Sequence, residues 1–131
     1  MSCQKCASSQ KIRMNPTYSS LESYSDIKKI GQGIWCMLFI LAYRTKTTGS
    51  KKDKDTFINT IETLSTELPC QTCKDHFQKY ILTNSVTIAA TNNQLMEWTY
   101  RCKVAADKNG GKVTTVPYDA VLNYFSAISK K

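Results

Sequence analysis

A chain of 131 residues fits one domain, and its 41% hydrophobic content supports one modest core. The longest apolar run, Ile34 to Tyr43, is about half of what a bilayer span needs. No basic stretch followed by an apolar one opens the chain, so a soluble protein made outside the secretory pathway is expected. Lys and Arg number 18 against 10 Asp and Glu, a net charge of +8, but Lys51, Lys52 and Lys54 alternate with Asp53 and Asp55 and read as a solvated loop, not a nucleic-acid surface.

Residues 1 to 22 are polar, with no sustained apolar period, and are expected to form a flexible arm ahead of a helical domain over 23–131. Ser25 and Asp26 suit an N-cap and first turn. From Ile27 through Ile30, Ile34, Leu38, Leu41 and Ala42 the apolar residues recur at helical spacing, predicting a helix to about Thr45. Thr47 to Lys54 reads as a polar loop around Gly49. A second helix is predicted over Asp55–Leu68 and a third from Pro69, a residue suited to a first turn, to about Leu82, with Asn84 as the stop. A fourth runs from Asn92 to Lys108, closed by Asn109-Gly110-Gly111. Pro117 opens a last, short helix to about Ser129, and Lys112 to Val116 reads as briefly extended. The predicted class is all-α: a four-helix bundle plus a short fifth helix.

The chemistry lies in the six cysteines. Cys3/Cys6 and Cys70/Cys73 form two CxxC pairs, while Cys36 and Cys102 fall on helix faces near core positions and read as buried thiols, with a bridge between them left open. In Leu68-Pro69-Cys70-Gln71-Thr72-Cys73-Lys74-Asp75-His76-Phe77 the second pair opens a helix, where the dipole and free backbone N–H groups favour a thiolate. Lys74 and His76 add positive or protonatable groups nearby. Thiol–disulfide exchange needs this arrangement, an attackable sulfur with a second one to resolve the mixed disulfide. The alternative is a small helical zinc-binding module using both CxxC pairs, although its usual spacer of about 15–20 residues is far exceeded here. A thioredoxin-like reading lacks its βαβ context.

Three blocks together resemble the Erv/ALR family of FAD-linked sulfhydryl oxidases, over roughly residues 31–112. Gly31-Gln32-Gly33-Ile34-Trp35-Cys36-Met37-Leu38-Phe39 is similar to the family's first-helix motif, with Gln32 for the usual Arg and Phe39 for the usual His. Leu68-Pro69-Cys70-Gln71-Thr72-Cys73 resembles its Tyr-Pro-Cys-x-x-Cys. Trp98 stands on the helix that leads to the family's His-Asn-x-x-Asn, where this chain has Lys103-Val104 and Asp107. The resemblance implies FAD bound in the bundle, Cys70 exchanging with protein dithiols, Cys73 facing the flavin, and electrons passing to oxygen to give hydrogen peroxide. It also implies a homodimer, and the departures resemble small viral members. A viral protein working in host cytoplasm or virion is therefore expected, with the mitochondrial intermembrane space as the cellular alternative.

By the same resemblance the candidate cofactor contacts are Gly31, Trp35, Phe39, Tyr43, His76, Tyr80, Trp98, Lys103, Asp107 and Lys112. Each has a plainer reading. Trp35, Phe39 and Tyr43 lie one turn apart in succession and serve an apolar core equally well, as does Trp98. His76 reads equally as a surface histidine, and Lys103 and Lys112 as solvated cations instead of phosphate contacts. Cys3 and Cys6 are candidates for a shuttle that relays electrons from substrate to Cys70–Cys73, tethering raising the local thiol concentration; an incidental pair is the other reading.

Overall fold

The computed structural model describes residues 27–129 as six α-helices and their connections, with no strand among them: α1 (Ile27–Thr48), α2 (Lys51–Glu67), α3 (Gln71–Thr83), α4 (Val86–Thr91), α5 (Leu95–Asn109) and α6 (Tyr118–Ser129). The fold is all-α, as expected. The CxxC of Cys3 and Cys6 and the N-cap expected at Ser25 and Asp26 lie outside the described residues. No described helix is long and apolar enough to cross a membrane.

Central α1 packs against α2, α5 and α6. It buries Leu38, Phe39, Ala42 and Thr45, whose spacing keeps them on one face. Opposite stand Phe57 and Ile61 of α2 and Leu95, Met96, Trp98 and Cys102 of α5. Phe125 of α6 closes one side by stacking on Phe39, ring centroids 5.3 Å apart. Val116 and Tyr118 at the entry to α6 are tied to α5: the Tyr100 hydroxyl donates to Val116 O at 2.8 Å, and Tyr118 donates to the Glu97 carboxylate.

Several boundaries correct the sequence reading. The expected loop over 47–54 is only a two-residue corner. Gly49 adopts φ 61°, a left-handed turn natural to glycine, and its N–H caps Thr45 O at 2.8 Å. Ser50 then starts α2 at once, its hydroxyl accepting the Asp53 N–H at 3.1 Å, so the lysine cluster rides on a helix. Pro69 precedes the cap of α3 and is not in its first turn; Cys70 is the N-cap.

Helix α4 was not expected. Ser85 caps it by accepting the Ile88 N–H at 3.2 Å, and Val86, Ala89 and Ala90 are buried at i, i+3, i+4 spacing. Asn93, at φ 55°, then reverses the chain, which moves the start of α5 from the expected Asn92 to Leu95. Asn tolerates that conformation better than most residues. Among the described residues there are thus six helices, one beyond the five expected.

Candidate active site

Helices α1, α2, α3 and α5 line a partly open cavity of about 340 Å³, within the range of roughly 300–1,000 Å³ typical of small-molecule sites. Each helix contributes one face. From α1 come Gly31, Ile34, Trp35 and Leu38, and from α3 Cys73, His76, Phe77 and Tyr80, both sets recurring at one-turn intervals. The C-terminal end of α2 adds Leu64, with Leu68 just beyond it. The far wall runs along α5 from Cys102 and Lys103 to Asp107, with Lys112 past its end.

The lining carries two chemically different groups of residues. On α3, Cys70 is the N-cap, its Sγ accepting the Cys73 N–H at 3.4 Å. Cys70 is only 2% exposed, while Cys73 is half-buried and forms part of the cavity wall. On α5 the Lys103 ammonium lies over the Trp35 ring, 5.6 Å from its centroid, and is paired with Asp107 one turn along. Thr114 donates to the second Asp107 oxygen at 2.6 Å. Burial alone would raise the Asp107 carboxyl, but hydrogen bonds from Lys103 and Thr114 and the charges of Lys103 and Lys112 hold it below its ordinary value.

Much of the remaining wall is apolar and aromatic. Burial pushes the Cys102 thiol up to about 12. The Tyr80 phenol is also raised to about 12, first by burial and then by its neighbour Cys102, against an opposing pull from Arg101. Both groups stay neutral at physiological pH, so neither adds an anion to the wall.

The structure therefore brings together eight of the sequence candidates: Gly31, Trp35, Cys73, His76, Tyr80, Lys103, Asp107 and Lys112. A Cβ added at Gly31 would meet no atom within 4 Å, so local packing does not demand glycine there. Phe39, Tyr43 and Trp98 do not line the cavity. Phe39 is buried against Phe125 and Trp35; Tyr43 packs, partly buried, on the core; Trp98 is 3% exposed, with its indole N–H donating to Asn84 O at 2.8 Å. Cys102, which belongs to the core as expected, also lines the cavity, and so do Phe77 and Leu64, which were not among the candidates. For Phe77, one turn from Cys73, helical spacing was the available signal.

Cys36 is exposed, not buried, and no bridge joins it to buried Cys102. These environments predict an alkylation order for the reduced protein. Iodoacetamide should modify Cys36 first and Cys73 later, leaving Cys70 and Cys102 until the fold opens, as peptide mass spectrometry of timed samples would show. Early loss of Cys102 would contradict its placement. Among the described residues no group of three or more His, Cys, Asp or Glu is placed to hold a metal ion.

The donor set suits a flavin dinucleotide. Trp35, Phe77 and Tyr80 offer flat apolar surface, Cys73 offers a sulfur at the wall, and Lys103 and Lys112 offer cations. Neither curated proteins nor solved structures give a match to this chain. Residues 32–114, spanning most of α1 through to Thr114, match the family model described as Erv1 / Alr family. With the CxxC helix and the whole cavity but Gly31 inside that match, the chain belongs to the Erv1/Alr family, whose members are FAD-linked sulfhydryl oxidases.

Proposed function

We propose that this protein oxidises dithiols of substrate proteins to disulfides through Cys70 and Cys73, with oxygen as the final acceptor. The observation that carries the reading is the split environment of the pair: Cys73 is on the cavity wall, and Cys70 is at the helix cap directly behind it. In the oxidised protein the two are joined. A substrate thiolate attacks Cys70 Sγ, the Cys70–Cys73 bond breaks, and Cys73 leaves as a thiolate facing the cavity. The second substrate thiol gives up its proton and attacks the substrate sulfur of the mixed disulfide, releasing Cys70 and a substrate disulfide. Two electrons now reside on the pair. When bound, FAD would supply the two-electron acceptor for the reduced pair, the electrons ending on oxygen as hydrogen peroxide.

The chain's own residues do the rest. Cys70 must be uncovered for attack; its neighbours Pro69, Gln71 and Thr72 are exposed, so a small displacement of that corner suffices. Helix α3 suits such a movement, because it has no fully buried side chain. Trp35, Phe77 and Tyr80 would hold the ring system, while Lys103 and Lys112 would meet its phosphates. Cys102, kept as a neutral thiol, does not compete with Cys73 in exchange.

The test is the absorption spectrum of the purified protein, followed by oxygen uptake with dithiothreitol. Bound-flavin bands and sustained uptake are expected. A colourless protein that stays inactive after addition of FAD would sink the proposal.

A further inference from the structure

The carboxylate of Asp107 stands in the wrong place for a site that takes an anion. It lines the cavity beside Lys103 and Lys112, and a negative charge there opposes phosphate binding. Yet it is closely engaged. It pairs with the Lys103 ammonium, which also lies over the Trp35 face, and it accepts the Thr114 hydroxyl at 2.6 Å. The Asp107 carbonyl meanwhile accepts the Lys112 N–H at 2.8 Å, with Gly111 at φ 75° turning the chain back between them. One residue therefore ties down the side chain of Lys103 and the segment that carries Lys112.

Resting on the flavin reading above, we infer that Asp107 is a positioning residue that preorganises Lys103 and Lys112 to receive the diphosphate of the dinucleotide. An ammonium has three N–H donors. At Lys103 one is engaged by Asp107 and the Trp35 ring flanks the group, which leaves donor capacity for a ligand oxygen. Without the carboxylate the long lysine side chain would regain its rotamer freedom, and binding would then have to immobilise it. Lys103, Lys112 and Asp107 sum to one positive charge, so this part of the lining stays attractive to a diphosphate.

Two roles for Asp107 predict opposite signs. Were it a bystander, Asp107→Asn would delete a repelling charge, tighten FAD binding and steepen its salt dependence. As a positioning residue, its loss should weaken FAD binding about five- to tenfold and flatten the dependence of Kd on KCl, because Lys103, and through Thr114 the segment that carries Lys112, lose the carboxylate that holds them. Thr114→Val, which leaves every charge in place, should weaken binding in the same direction by a smaller factor. It carries the test should Asp107→Asn fail to fold.

The measurement is titration of flavin-stripped protein with FAD by flavin fluorescence at several KCl concentrations. Tighter or unchanged binding in both variants overturns the inference while leaving the flavin reading intact. So does weaker binding with the wild-type salt dependence in Asp107→Asn, which marks a merely structural residue. Failure of the wild-type protein to bind FAD overturns the flavin reading and the inference together.

Discussion

Cys73→Ser is expected to abolish oxygen uptake with dithiothreitol and to lack the long-wavelength absorption band that a thiolate against oxidised flavin produces. Cys70→Ser should lose turnover too, by at least about a hundredfold, since a serine cannot form or resolve a disulfide, but it should keep that band. The asymmetry follows from position: Cys73 lines the cavity, whereas Cys70 lies 2% exposed at the helix cap. Neither substitution threatens the helix start. Serine is a strong N-cap, and its hydroxyl at position 70 can accept the Cys73 N–H that the sulfur now accepts at 3.4 Å. Cys36→Ser is the control, because that thiol is exposed and no part of the cavity wall. The band surviving in Cys73→Ser and vanishing in Cys70→Ser would reverse the roles of the two sulfurs.

Where sequence reading succeeded and failed has a physical pattern. Long amphipathic runs were legible, and the resemblance named Cys73, His76 and Tyr80 of the α3 wall, while Phe77 on the same helix face went unnamed as a contact. Helix α4 was hidden because Val86, Thr87 and Ile88 are β-branched and six residues are too few to show a period; burial of Val86, Ala89 and Ala90 decides it, and burial is a tertiary fact. The start of α2 was hidden by its lysines, which read as loop until the Ser50 cap is seen. Thr114 could not have been found. It lies outside any helix and reaches Asp107 only because Gly110 and Gly111 fold the chain back over the end of α5. Trp98 presents the deeper ambiguity, since a large aromatic on an apolar helix face looks the same from sequence whether it packs on a core or on a ligand.

For Trp98 the structure leads to a definite expectation. Trp98→Ala should lower the unfolding free energy of the flavin-free protein by about 3–5 kcal/mol, a large share of the roughly 5–15 kcal/mol that holds a domain together. Its ring meets Phe57 edge-on at 6.1 Å and Tyr80 at 5.4 Å, and its indole N–H holds Asn84 O. Asn84 is the C-cap of α3, its own N–H bonded to Tyr80 O at 2.9 Å. Trp98 thus anchors one end of the helix whose other end carries the redox pair. That helix has few other fastenings: Phe77, Tyr80 and Ile81 are only partly buried, and Gln78 reaches Ser65 O at 2.6 Å. Hydrogen exchange in Trp98→Ala should accelerate first in α3. The milder Trp98→Phe keeps a ring against Phe57 and Tyr80 but loses the bond to Asn84. It should cost stability in urea unfolding while leaving the FAD Kd of folded protein within about threefold of wild type. A Trp98→Phe protein that keeps its stability yet loses FAD affinity would instead make Trp98 a cofactor contact, and the cavity would have to extend through Tyr80 to reach it.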